Sequence, residues 1–308
     1  MAVKDSTRFK RSLLTYFIAF LSLCAVFGIN LLLSLLRESI EGNPSGTQNK
    51  TDQLISTIIS ISFISSIVIA NNNAILSKIV RYISKFERHE TYTKFNLTIA
   101  IKLTACMLIN TAAIPFIIKP NKEKWFRQNG LANDALLIVA TMNIITPTIN
   151  LIGFSNLYKK LRIKLEVWKG KKSKMTQKEA NKLYEGLEFD QPFLYATTMT
   201  TFFITCFFTP LIPMLPIISI IGLIYKYYVD KYLLLRRSKL PQEMAEQMAM
   251  AFSNLIPIGI FFYALGQFIF VTDLSNGGNK LPHLALWFSV LSLIIPVRLL
   301  LKKCQGGI

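Results

Sequence analysis

The chain is short of the groups that carry most enzyme chemistry. It has only two histidines and 17 acidic residues in 308. His89-Glu90 resembles the start of a zinc-protease helix, but Thr93 stands where the second histidine is required. The four cysteines, Cys24, Cys106, Cys206 and Cys304, show no metal-ligand spacing. The first three lie in apolar runs, where a thiol behaves as a small hydrophobe. Gly170-Lys171-Lys172-Ser173 lacks the upstream glycine of a phosphate loop. No carboxylate falls deep in an apolar run, which argues against an acidic proton relay or a carboxylate ion cage. An enzyme, a bound metal and an organic cofactor are therefore not expected. Charge of any sign is scarce too, at 17%, against about 25% in a typical soluble domain. The excess of 35 Lys+Arg over 17 Asp+Glu comes without any RNA- or DNA-binding signature, so nucleic acid is not an expected partner.

What the chain has in abundance is apolar sequence. Hydrophobic residues make up 52% and mean hydropathy is +0.40. They come in long unbroken runs, and a helix needs about 20 such residues to cross a bilayer. The pattern predicts an all-α polytopic membrane bundle, a single transmembrane domain over 1–308. Its spans are expected at 12–36, 54–82, 95–118, 135–158, 193–209, 215–235, 249–271 and 284–301. The longest run, 193–225, has 33 residues without a charge. As one helix it would reach about 50 Å, too long for one crossing. Pro210, Pro213 and Pro216 offer a break, because proline removes a backbone donor. A Pro-rich hairpin between the fifth and sixth helices follows.

Basic residues test the topology. With a cytosolic N-terminus, 27 Lys+Arg fall on the cytosolic side and 7 on the other, leaving Lys102 inside a span. That asymmetry places both termini in the cytosol. The segment 159–190 is then a basic cytosolic loop. Its first half contains Trp168 and suits anionic lipid headgroups, although topological charge alone accounts for the same lysines. Thr176 and Glu179 have capping-box spacing, predicting a short helix over 177–185.

Polar residues form stripes. Thr98, Lys102, Cys106 and Asn110 recur every fourth position of the third helix and share a face. The fourth helix carries Asn143, Thr146 and Asn150 around Pro147, with Gly153 following. The first adds Thr15, Ser22 and Asn30, and the second adds Ser62, Ser65, Ser66 and Asn71–Asn73. A proline-broken polar helix is usual where backbone lines a cavity. Lys102, Asn110, Asn143, Thr146 and Asn150 are the pore-lining candidates, and Pro147, Gly153 and Pro210 the hinge candidates. Interhelical hydrogen bonding is the competing account of the same residues.

Several short motifs resemble known membrane proteins. Glu87-Arg-His89-Glu-Thr91-Tyr-Thr93-Lys-Phe95, followed by Lys102 and Asn110, is similar to the corresponding helix of anoctamins. Phe208-Thr-Pro210-Leu211-Ile212-Pro213 resembles the anoctamin hairpin and equally that of the OSCA/CSC-type hyperosmolality-gated channels. Lys226-Tyr-Tyr-Val229-Asp230-Lys231-Tyr232 and Phe189-Asp-Gln-Pro192 with Tyr195 look closer to the OSCA type. The resemblance runs helix for helix over most of the chain and points to the anoctamin/TMC/OSCA superfamily. The helices and cytosolic domain that OSCA proteins carry ahead of this region have no counterpart before Ser12, so a fragment or a reduced member is expected.

The resemblance implies a helical bundle with a pore among its first five helices, membrane lipids and permeant cations as partners, and a possible homodimer in the plasma membrane. It also implies where calcium would bind in the calcium-activated relatives. At those positions this chain has Gln191, Leu194, Lys226 and Asp230, a single carboxylate. Hard Ca²⁺ needs several oxygen ligands, so direct calcium gating is not expected. A Lys226–Asp230 pair one turn apart, or Lys226 snorkelling to headgroups, would take its place. Three functions fit: an OSCA-like mechanosensitive cation channel first, then a lipid scramblase, then a non-conducting structural subunit.

Overall fold

The computed structural model describes residues 15, 17–29, 31–32, 35, 67–68, 71–87, 91–118, 125–126, 130–170, 175–186, 189–239, 246–272 and 281–294. Among these the chain is all-helical. In chain order the helices are α1 (Phe17–Ile29), α2 (71–84), α3 (Tyr92–Ile117), α4 (Leu131–Lys169), α5 (Gln177–Tyr184), α6 (Gln191–Phe208), α7 (Leu215–Arg236), α8 (Glu246–Val271) and α9 (Leu281–Ile294).

Of these, α3, α4 and α8 are long and apolar enough to cross a membrane, while the apolar α1 and α9 are shorter. The membrane character of the chain rests on those three. Neither α6 nor α7 joins them, because α6 is rich in threonine and the second half of α7 carries Lys226, Asp230, Lys231 and Arg236. Parts of the expected spans 12–36, 54–82 and 284–301 lie outside the described residues, as do Asn30, Ser62, Ser65 and Ser66.

The core packs around α6, which touches α3, α4, α7 and α8. Asp190 caps α6 by accepting from the Phe193 N–H at 3.2 Å, and Arg81 at the end of α2 pairs with the same carboxylate. At its other end α6 stops at Phe208. The Leu211 and Ile212 N–H groups return to the Phe208 carbonyl at 3.0 and 2.9 Å. Pro210 and Pro213 occupy the turn and Pro216 the first turn of α7, positions where no helical N–H is needed. Next to this turn Trp125, Phe116, Phe207, Phe208 and Phe270 stack edge-to-face and tilted into one aromatic cluster.

Two departures from regular helix matter for function. In α3 the turn Ile109–Ala113 widens to π-helix, and in α4 the turn Thr141–Ile145 does the same. Each wide turn lies just ahead of a proline, Pro115 or Pro147, whose missing N–H and ring crowding disfavour a regular turn. In addition, α4 breaks at Gly153, where φ is 65°. Glycine tolerates that left-handed backbone, and the Arg237 guanidinium donates to the Leu151 carbonyl beside the break.

Within the expected loop 159–190, residues 159–169 are helical and continue α4 beyond Gly153. The capping box is present as read: Thr176 Oγ1 accepts from the Glu179 N–H and Glu179 accepts from the Thr176 N–H, starting α5. Beyond α5, Lys239 pairs with Glu185 at 2.7 Å. That hydrogen bond holds the exposed Glu185 carboxyl below the usual carboxylate range. The tie is present above the ordinary glutamate pKa and is lost as pH falls through the lowered one.

Helix crossing depends on small residues. A Cβ at Gly266 on α8 would overlap the Phe207 carbonyl of α6, and one at Gly259 would meet the Phe202 ring. Backbone cannot yield as a side chain can, so Gly266→Ala should cost about 1–3 kcal/mol. The check is the melting temperature of the detergent-solubilised protein. Gly28→Ala, which meets open space, should leave it unchanged.

Candidate functional site

Four helices enclose a narrow cleft of about 20 Å³ that opens to the surface. Asn73 comes from α2, and Met142, Thr146, Pro147 and Asn150 from α4. Phe193, Leu194 and Thr197 come from α6, and Lys226 and Asp230 from α7. Two of the five pore candidates and the hinge candidate Pro147 thus share one wall, facing Lys226 and Asp230 and, on α6, Leu194.

A threonine ladder on α6 organises this cleft. Thr197, Thr201 and Thr205 recur every fourth residue, so they share a face. Each reaches a different neighbour. Lys226 Nζ donates to Thr197 Oγ1 at 2.6 Å and to Thr198 Oγ1 at 3.1 Å. Thr201 Oγ1 donates to Asn143 Oδ1 at 3.2 Å, and Thr205 Oγ1 to Ser219 Oγ at 2.9 Å. On the opposite side Asn110 Nδ2 donates to Asn73 Oδ1 at 2.7 Å. Buried polar pairs of this kind fix how apolar helices register against one another.

The π turns of α3 and α4 each carry one of these asparagines, Asn110 and Asn143; a third π turn, Gln267–Val271 in α8, carries none. The approach is close at Asn143, because a Cβ on Gly222 of α7 would come within 2.7 Å of the Asn143 Cβ. Several donors here are buried without a protein partner: Nδ2 of Asn72, Asn73 and Asn143, and Thr200 Oγ1. Asn73 lines the cleft, so a ligand, ion shell or water there would find a donor already desolvated.

The site is not assembled as the sequence suggested in three respects. Lys102 does not line the cleft. It lies in a separate cavity among α1, α2 and α3, ion-paired with Glu87, which also accepts from Thr15 Oγ1. Glu87 is 6% exposed, a buried carboxylate that lies ahead of the apolar run and not within it. A lysine inside an apolar helix calls for an acid, and Glu87 at the turn into α3 supplies it. Lys226 does not snorkel either: it is 4% exposed and ties α7 to α6, with Asp230 one turn along the same helix. Asn143 and Asn110 are buried hydrogen-bond partners between helices rather than open wall, while Asn71 and Asn150 are exposed. Asn150 rims the cleft mouth.

Of Gln191, Leu194, Lys226 and Asp230, Gln191 begins α6 outside the cleft lining, the side chains of Leu194 and Lys226 offer no oxygen, and Asp230 offers the lone carboxylate. Among the described residues no group of three His, Cys, Asp or Glu could hold a metal ion. Gly153 terminates the first part of α4, and Pro210 sits in the α6–α7 turn. Among known proteins, no family model matches the chain and no curated sequence aligns with it.

Proposed function

We propose that the chain is the conducting bundle of a membrane ion channel resembling the OSCA-type mechanosensitive cation channels, with eight spans and both termini in the cytosol of a plasma-membrane protein. The cleft beside α4 is the cytosolic half of the pathway. One observation carries this reading. A cleft carrying Asn73, Thr146, Asn150, Thr197, Lys226 and Asp230 lies at one end of α6 and α7, and the aromatic cluster lies at their other end, beside the α6–α7 turn. Polar vestibules closed by an apolar constriction are a standard gating arrangement, since the constriction dewets. The π turn, Pro147 and Gly153 give α4 the irregular backbone at which tension could reshape the wall. A scramblase is the second reading, favoured by the adjacent ammonium and carboxylate at an open cleft, which match a zwitterionic headgroup.

Thiol modification tests the pathway. In a cysteine-free background Asn150→Cys should conduct, and a cationic methanethiosulfonate reagent should then suppress the current. Ile220→Cys, on the exposed face of α7, should be indifferent. Equal indifference at Asn150→Cys would remove the cleft from the pathway.

Orientation has its own test. Asn49-Lys50-Thr51 is a glycosylation sequon in the first non-cytosolic loop and lies outside the described residues. Asn96-Leu97-Thr98 is also a sequon, but Asn96 is buried in α3. Mass spectrometry after expression through the secretory pathway should find glycan at Asn49 and none at Asn96. The reverse pattern contradicts the topology.

A further inference from the structure

The cavity holding Lys102 is larger than the cleft, at about 210 Å³ against about 20 Å³. It is built like an amphipath. At one end stand Thr15, Ser84 and Lys102; from there it runs along Leu23, Val80 and Ile109 with an almost wholly apolar wall. Phe20 and Ile109 are exposed at its rim, so it opens sideways between α1 and α3, towards hydrocarbon in a membrane-spanning chain.

The charges at the polar end are already matched, because Lys102 is paired with Glu87. A carboxylate or phosphate would therefore meet no net attraction. What is unmatched is neutral: Ser84 is 1% exposed and its hydroxyl has no partner. A buried hydroxyl without a hydrogen bond is costly, and an uncharged carbonyl oxygen would relieve it.

We propose that this cavity takes an acyl chain of a bilayer glycerolipid, with the chain's ester carbonyl accepting from Ser84 Oγ. The apolar length accommodates the chain, the lateral opening admits it from the bilayer, and the neutral polar end selects an ester over a free acid. The site rests on the membrane character of the chain and not on conduction.

The test is photolabelling of the full chain in phosphatidylcholine vesicles containing a phosphatidylcholine with a diazirine midway along one acyl chain. Labelled peptides are mapped by mass spectrometry. Residues lining the cavity on α1, α2 and α3 should be labelled several-fold more densely than Trp287 and Phe288 on the exposed face of α9. Ala19→Phe, which fills the cavity, should abolish the excess and leave α9 labelling intact. Cys106→Phe, from another wall, serves if Ala19→Phe does not fold. Ser84→Ala should weaken the excess about two- to tenfold, the worth of one hydrogen bond. Labelling no denser than on α9, or unchanged by both filling variants, overturns the proposal. So does preferential labelling by a diazirine sterol. No outcome depends on whether the protein conducts, so failure here and failure of the channel reading are separable.

Discussion

Glu87→Ala is expected to be among the most damaging single substitutions in the chain. Glu87 and Lys102 are 6% and 8% exposed and form an ion pair. Removing the acid leaves a desolvated ammonium, and breaking a buried pair costs about 3–5 kcal/mol. The folded, monodisperse fraction after detergent extraction should fall sharply. Lys102→Met alone should be harmful for the mirror-image reason. The double variant Glu87→Leu/Lys102→Met should recover most of the loss, because a buried pair replaced by apolar residues of similar volume is often neutral or better. Fluorescence-detected size exclusion and thermal melting read all three. If the double variant is as damaged as the sum of the singles, the two side chains do not act as a pair.

The second large effect is expected at Lys226, on conduction rather than folding. Lys226→Met should raise cation current and lower the suction needed to evoke it. Two causes act together. The ammonium faces the cleft, and at an effective dielectric near 20 a unit charge about 7 Å from a passing cation opposes it by about 2–3 kcal/mol. The same ammonium ties α7 to α6 through Thr197 and Thr198, a tie that opening would have to break. The fold should survive, since both threonine hydroxyls also donate to the Leu194 carbonyl, at 3.0 and 2.9 Å, and are not orphaned. Lys226→Arg should behave as the parent does. Unchanged current and threshold in Lys226→Met would mean that ions do not pass this cleft.

Helix existence and the chain break at the prolines were readable because both follow from local chemistry. Long apolar runs favour helices, and Pro210, Pro213 and Pro216 close together favour a break more strongly than the single prolines Pro115 and Pro147, which α3 and α4 absorb as π turns. Gly153 and the Thr176–Glu179 box were readable for the same reason. Pairing across helices was not. Spacing placed Lys102, Asn110, Asn143 and Asn150 on helical faces, but a face does not say which neighbour it meets. Lys102 turned towards α2 and Glu87, and Asn150 towards the cleft. The ladder of Thr197, Thr201 and Thr205 was visible as spacing, yet threonines are so common in membrane helices that the pattern carried no weight until Lys226, Asn143 and Ser219 were found opposite. Pro115 and Pro147 were the available signal for the π turns of α3 and α4; the third, Gln267–Val271, has no such proline. Lysines after residue 158 read as loop sequence, yet the helix runs on through them to Lys169.

The central claim is that tension, not calcium, opens a cation pathway through this bundle. Purified protein reconstituted in liposomes would be recorded under suction and, separately, at zero suction in micromolar Ca²⁺, with headgroup-labelled lipid reporting scrambling in the same vesicles. The account predicts cation current that rises with suction, is indifferent to Ca²⁺, and is absent from protein-free vesicles. Current or scrambling evoked by Ca²⁺ at zero suction and abolished by Asp230→Asn would contradict it.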